Sequence, residues 1–175
     1  MKLVLTTFVL LLAAGVGRAD ASPPGSSLIT FEERLAIRDC EPYRGRGVLG
    51  LVMHANGAFE METEAGLFSG FLKPLDRAAR AWRLVFDDAS LSLYALYLRA
   101  GANAFCREEV ALSGGEIQTA LLRFKRDGRA SLTLRATAEG RSASGARRIR
   151  HRMSGTGIVA PLPEPSPARP GDSAA

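Results

Sequence analysis

Residue types that usually announce chemistry are scarce in this chain. Only two histidines, His54 and His151, and two cysteines, Cys40 and Cys106, occur in 175 residues. Neither histidine has neighbours at metal-ligand spacing, so no metal site is expected. No serine stands in a Gly-x-Ser-x-Gly elbow, and Gly155-Thr156-Gly157 is too short for a phosphate loop. The sequence therefore names no catalytic residue and no cofactor. Lysine is nearly missing too: Lys2, Lys73 and Lys125 are the only ones, and arginine supplies the remaining positive charge.

The apolar run Leu3 to Val16, after Lys2 and before Ala19-Asp20-Ala21, is too short to span a bilayer. One positive residue, that run and small residues at −3 and −1 read as an export signal over 1–21, cleaved after Ala21. No cysteine follows the run, so lipid attachment at a new N-terminus is not expected. The mature chain would then carry no transmembrane span and would work in the periplasm or as a secreted protein. Its formal charge of +5 becomes +4 once Lys2, Arg18 and Asp20 are removed.

In an oxidising compartment an even pair of cysteines reads as a disulfide, Cys40 to Cys106. Ser22 to Ser27 reads as a flexible lead-in, and 160–175, with five of the nine prolines, as a disordered tail. One domain is left, about 28–159.

Within it, Thr30-Phe31-Glu32-Glu33 has capping-box spacing and predicts a short N-terminal helix over 31–37. Residues 75–81 suggest a further single turn. Elsewhere apolar and polar residues alternate, predicting strands near 45–54, 58–64, 67–72, 80–87, 91–98, 103–111, 117–125, 129–137 and 146–153. Eight or nine short strands at this spacing define an all-β fold, an antiparallel sandwich or a small closed barrel rich in hairpins.

Two hairpins can be set in register. A two-residue turn at Asn56-Gly57 would put glutamates on the apolar face. A three-residue loop, Ala55-Asn56-Gly57 with a left-handed glycine, instead pairs Met53 with Phe59 and Leu51 with Met61. Likewise the loop Arg126-Asp127-Gly128 pairs Phe124 with Ala130, Leu122 with Leu132 and Ala120 with Leu134.

Charge is uneven. Residues 119–152 hold ten basic side chains against Asp127 and Glu139, whereas 22–118 hold ten basic and thirteen acidic. On one strand Arg148, Arg150 and Arg152 share a face, which Arg123, Lys125 and Arg135 could extend into a basic sheet surface. Its partner would be an anionic envelope lipid or polysaccharide. No aromatic residues interleave these arginines, so nucleic-acid stacking is not supported. Defence of a sheet edge is the bland alternative.

The first functional reading is thus an exported, non-enzymatic β domain that binds or supports something at the cell envelope. The second is a calycin-like barrel carrying a small apolar ligand on Trp82, Phe86, Tyr94 and Tyr97. The third is a hydrolase whose groups converge only in the fold. A lipocalin-like barrel suits the strand number, but the Gly-x-Trp motif expected after an N-terminal helix is missing and Trp82 lies mid-chain. A closed barrel with an internal cavity would favour the carrier.

Overall fold

A computed structural model describes residues 25–78 and 80–160. The export signal expected at 1–21 and the tail beyond Ala160 lie outside the described residues. Eight antiparallel strands close into one barrel in chain order: β1 (Gly25–Ile37), β2 (Tyr43–Met53), β3 (Ala58–Thr63), β4 (Gly66–Pro74), β5 (Ala81–Phe86), β6 (Ala111–Phe124), β7 (Arg129–Ser142) and β8 (Gly145–Ala160). One helix, α1 (Asp88–Cys106), is inserted between β5 and β6.

Both hairpin registers hold. Met53 faces Phe59 and Leu51 faces Met61; Phe124 faces Ala130, Leu122 faces Leu132 and Ala120 faces Leu134. Gly57 and Gly128 have φ of 85° and 78°, the left-handed conformation that the bulged loops require and that glycine adopts without a Cβ clash. Alternation then sorts most of the strand residues, although Leu28, Val48, Leu67, Phe71 and Ile158 face outward. Ile29, Leu49, Leu51, Met53, Phe59, Trp82, Leu122 and Leu132 fill the interior, while Glu32, Arg34, Arg44, Glu60, Glu62, Arg83, Arg123, Arg135, Arg148, Arg150 and Arg152 stand outside.

Three expectations are corrected. The stretch 31–37 is not a helix but the second half of β1, hydrogen-bonded on both sides, to β2 and β8. A central strand satisfies its backbone twice over, which a single capped turn cannot match. The strand also begins at Gly25, inside the expected flexible lead-in. Finally, the strand expected near 91–98 and the first four residues of the one expected near 103–111 are replaced by α1, 19 residues long. Its Leu- and Ala-rich sequence favours helix. Ser90, Tyr94, Leu98 and Ala102 are buried at a spacing of four, the repeat of a helix face. Asp87 caps it: Ser90 N–H donates to Asp87 Oδ1 at 2.8 Å, and Ser69 O–H donates to Oδ2 at 2.6 Å, tying the helix start to β4. These bonds, Ser69's first, hold the Asp87 carboxyl below its ordinary range.

The Cys40–Cys106 disulfide is formed, with Cα atoms 5.0 Å apart, and it fastens the end of α1 to the β1–β2 turn. Beside it the buried Arg147 guanidinium donates to Glu108 Oε1 at 2.5 Å, to Ser142 Oγ at 3.1 Å and to the Arg38 carbonyl at 3.3 Å. Hydrogen bonds from Ser144 and Arg147 push the Glu108 carboxyl down to about 2. The helix is thus pinned at both ends across the Ile37 end of the barrel.

Candidate functional site

Because β1 is a strand, Glu33 points inward, beside Phe31 and Leu35 on the face that is otherwise apolar. On neighbouring β8, His151 is buried two residues from Met153. Helix α1 contributes Tyr94 and, three residues later, Tyr97, both on the face turned toward the barrel. The four groups meet. Tyr97 O–H donates to Glu33 Oε2 at 2.6 Å, His151 Nε2 lies 3.2 Å from the same oxygen, and Tyr94 Oη lies 2.5 Å from His151 Nδ1. With the ring neutral, Nε2–H donates to the carboxylate and Nδ1 accepts from Tyr94, so one tautomer satisfies the chain.

The electrostatics follow from burial and these partners. Burial pushes the Glu33 carboxyl up, yet hydrogen bonds from His151, Tyr97 and Tyr43 outweigh it and hold the group below its ordinary value. Burial pushes the phenols of Tyr94 and Tyr97 well above theirs, and the Glu33 charge pushes the same way. Tyr43 moves up for the same two reasons. Glu33 is therefore an anionic acceptor ringed by donors that stay protonated.

Around this polar cluster lies a cavity of about 100 Å³. Phe31, Met61, Phe68, Phe86, Ile117, Leu134 and Met153 supply its apolar wall. A second hollow of about 310 Å³ runs outside it, between α1 and β6–β7. Tyr94 and Ile117 border both spaces, so they form the partition. The barrel wall is thin here. Of β5, Ala81, Trp82 and Arg83 pair with β6, while the Leu84–Phe86 half has no β6 partner.

Phe86, Tyr94 and Tyr97 thus line a cavity, as the carrier reading asks. Trp82 does not: it is fully buried in the packed Gly25 end and is absent from the cavity wall. Glu33, with its capping-box context, and His151, flanked by arginines, gave no sign in the sequence of meeting inside. His54 sits at the other end, 3.5 Å from Glu60.

The basic residues separate into two groups. Arg135, Arg148, Arg150 and Arg152 share the outer face of β7 and β8. Arg123 faces Ser131, four residues along β6 from Thr119, the partner of Arg135; that is about 13 Å. Lys125 lies beyond the end of β6. No group of three or more His, Cys, Asp or Glu side chains that could hold a metal occurs among the described residues.

No family model and no curated protein matches the chain. Among solved structures, Ail, the attachment invasion locus protein of Yersinia pestis, is similar at 8% identity over 78% of this chain and 99% of its own, with a TM-score of 0.24. A likeness of that size implies nothing about activity or partners.

Proposed function

We propose that this protein is an exported β-barrel that binds a small amphipathic molecule beneath α1. The observation that carries the reading is the partly buried Glu33 carboxylate, held with His151 and Tyr97 in a cavity whose wall is mostly apolar, with Arg46, Thr63 and Glu64 also lining it and Tyr94 and Ile117 as its partition. Apolar walls with a few convergent polar groups are the usual make-up of a ligand site. At about 100 Å³ the cavity is smaller than the roughly 150 Å³ that accommodates one benzene ring. On ligand entry a shift of the Tyr94 ring would join it to the hollow beside β6, and the combined space would fall within the range of ligand pockets, roughly 300–1,000 Å³. The ligand chemistry is then a ring-sized or short aliphatic body bearing a cationic or hydrogen-bond-donating head for Glu33.

Export is supported by the N-terminal pattern and the disulfide. The outside of the barrel supports an aqueous setting. A lipid-facing barrel penalises each mid-membrane Arg by about 2–4 kcal/mol, and here the outer face carries Arg34, Arg44, Arg83, Arg123, Arg135 and Arg152 alongside the exposed Leu28, Val48, Leu67, Phe71 and Ile158. Binding is favoured over hydrolysis because both His151 nitrogens are engaged. Its phenol partner, moreover, resists ionisation and so makes a poor nucleophile.

Thermal-shift and NMR titration with benzylamine, toluene and benzoate test this. Benzylamine should bind best and benzoate worst, with Glu33→Gln abolishing the difference. No response to any of the three at millimolar concentration refutes the reading.

A further inference from the structure

The registers of β2, β1, β8 and β7 place four arginines side by side. Arg44 is directly opposite Arg34, Arg34 is opposite Arg152, and Arg152 is opposite Arg135. All four are exposed, and among the described residues none makes an ion pair. Arg150 and Arg148 continue down β8; Arg148 faces Glu139, while Arg150 faces only Ala36 and Thr137. The small Ala36 and Thr137 keep the floor beside Arg150 low. Two shallow hollows, of about 690 and 480 Å³, flank the row and share Arg34 and Arg152; the larger is also lined by Glu32, already paired with Arg46 at 2.8 Å, and by Glu33, bonded to Tyr97 and His151.

Like charges directly opposite one another on a sheet are destabilising. A row of four without carboxylates between them is consequently a site that lacks its counter-charge. We infer that this row binds a linear acidic polysaccharide, whose carboxylates supply that charge through paired guanidinium contacts. Shape selects a chain over a lipid surface. At about 4.8 Å per strand the row is about 14 Å long. Closing eight strands into a barrel turns each by about 45° on average, so the row fans through about 135°. A plane touches such a convex wall along part of that arc; a flexible chain follows all of it. The four guanidinium groups lie on the outer face, and although the larger hollow shares Glu33 and Arg46 with the cavity, the inference stands whether or not the cavity binds a ligand.

The test is binding of the full mature, disulfide-bonded chain to polygalacturonate at about 0.15 M salt, with neutral dextran and vesicles of phosphatidylcholine containing phosphatidylglycerol alongside. Wild type should bind polygalacturonate alone, and more weakly as salt shortens the Debye length. The double variant Arg34→Glu/Arg152→Glu should bind at least tenfold more weakly. The charge-matched control Arg83→Glu/Arg123→Glu, on the outer face of β5 and β6, should lose less than threefold. Melting temperatures report folding: Arg34→Glu/Arg152→Glu should melt no lower than wild type. No wild-type binding, equal loss in both variants, or vesicle binding as strong as glycan binding each overturns the inference.

Discussion

At the Gly25 end of the barrel Trp82, Phe59, Met53 and Leu122 pack the interior solid. At the Ile37 end the same strands leave a cavity with a carboxylate, a histidine and two phenols under a helix. The first end needs nothing but its strands. The second depends on α1, on the disulfide and on the Asp87 cap, because β5 and β6 part company there. An apolar interior is thus sufficient to close the barrel at one end, which frees the other to hold polar groups that a packed core could not tolerate unpartnered.

The largest expected effect breaks the packed end. Trp82→Ala removes a fully buried indole and should cost about 3–5 kcal/mol. Phe86→Ala, whose ring already borders empty space, should cost less than half as much. Urea denaturation of both decides, and equal losses would mean the two ends are not packed differently. Next comes the disulfide. Replacing Cys40 and Cys106 together by serine opens a loop with a separation of 66 residues, and the chain-entropy model gives roughly 4 kcal/mol at most. Hydrogen exchange should show protection lost first in α1 while β7 and β8 keep theirs.

The polar end can be probed through its carboxylate. Glu33→Gln leaves His151 and Tyr97 with a weaker acceptor and should cost about 1–3 kcal/mol. It should also alter the acid limb of stability. The folded-state value of Glu33 is lowered from 4.5, so its ionised form stabilises the fold. That contribution is complete above about pH 4.5 and is lost as pH falls through the lower folded value. Wild type should therefore weaken below pH 4.5 more steeply than Glu33→Gln. Glu108, pushed down to about 2, acts in the same sense in both proteins, so the difference between them isolates Glu33. Parallel pH profiles would place Glu33 outside the network.

What could be read in advance follows the range of the interactions. Both hairpins were legible because a one-residue slip would bury glutamates, so local pattern and burial agree. The helix was misread because Leu91, Leu93, Ala95 and Tyr97 alternate as well as they would on a strand. The deciding signs were Asp87 as cap and the fourfold spacing of Ser90, Tyr94, Leu98 and Ala102. Gly114-Gly115, a pair that usually marks a turn, lies in β6 beside an irregularity in its pairing with β7. The site was hidden for a different reason. Glu33 and His151 are separated by 118 residues, and a capping-box motif offered Glu33 a local role that two-sided strand pairing overrode. The arginine row was half visible. Arg148, Arg150, Arg152 and Arg135 follow from alternation, but Arg34 and Arg44 join them only because the barrel closes β1 between β2 and β8.

That closure leads to the smallest expected effect, and its sign is unusual. Arg152 has Arg34 on one side and Arg135 on the other. Arg152→Glu would turn two like-charge pairs into two opposite ones, and the protein should become more stable by about 1 kcal/mol. A surface substitution chosen without regard to neighbours usually falls within about 0.5 kcal/mol of neutral, so the gain is specific to the row. It should shrink in 1 M salt, where the Debye length is about 3 Å. By contrast, the costs of Trp82→Ala and Phe86→Ala, being matters of packing, should keep their order there. A protein that gains stability when a single exposed arginine is reversed is keeping that arginine at a cost, as expected of a residue held for binding. Unchanged or reduced stability of Arg152→Glu at low salt would show that the four guanidinium groups already avoid one another in the free protein.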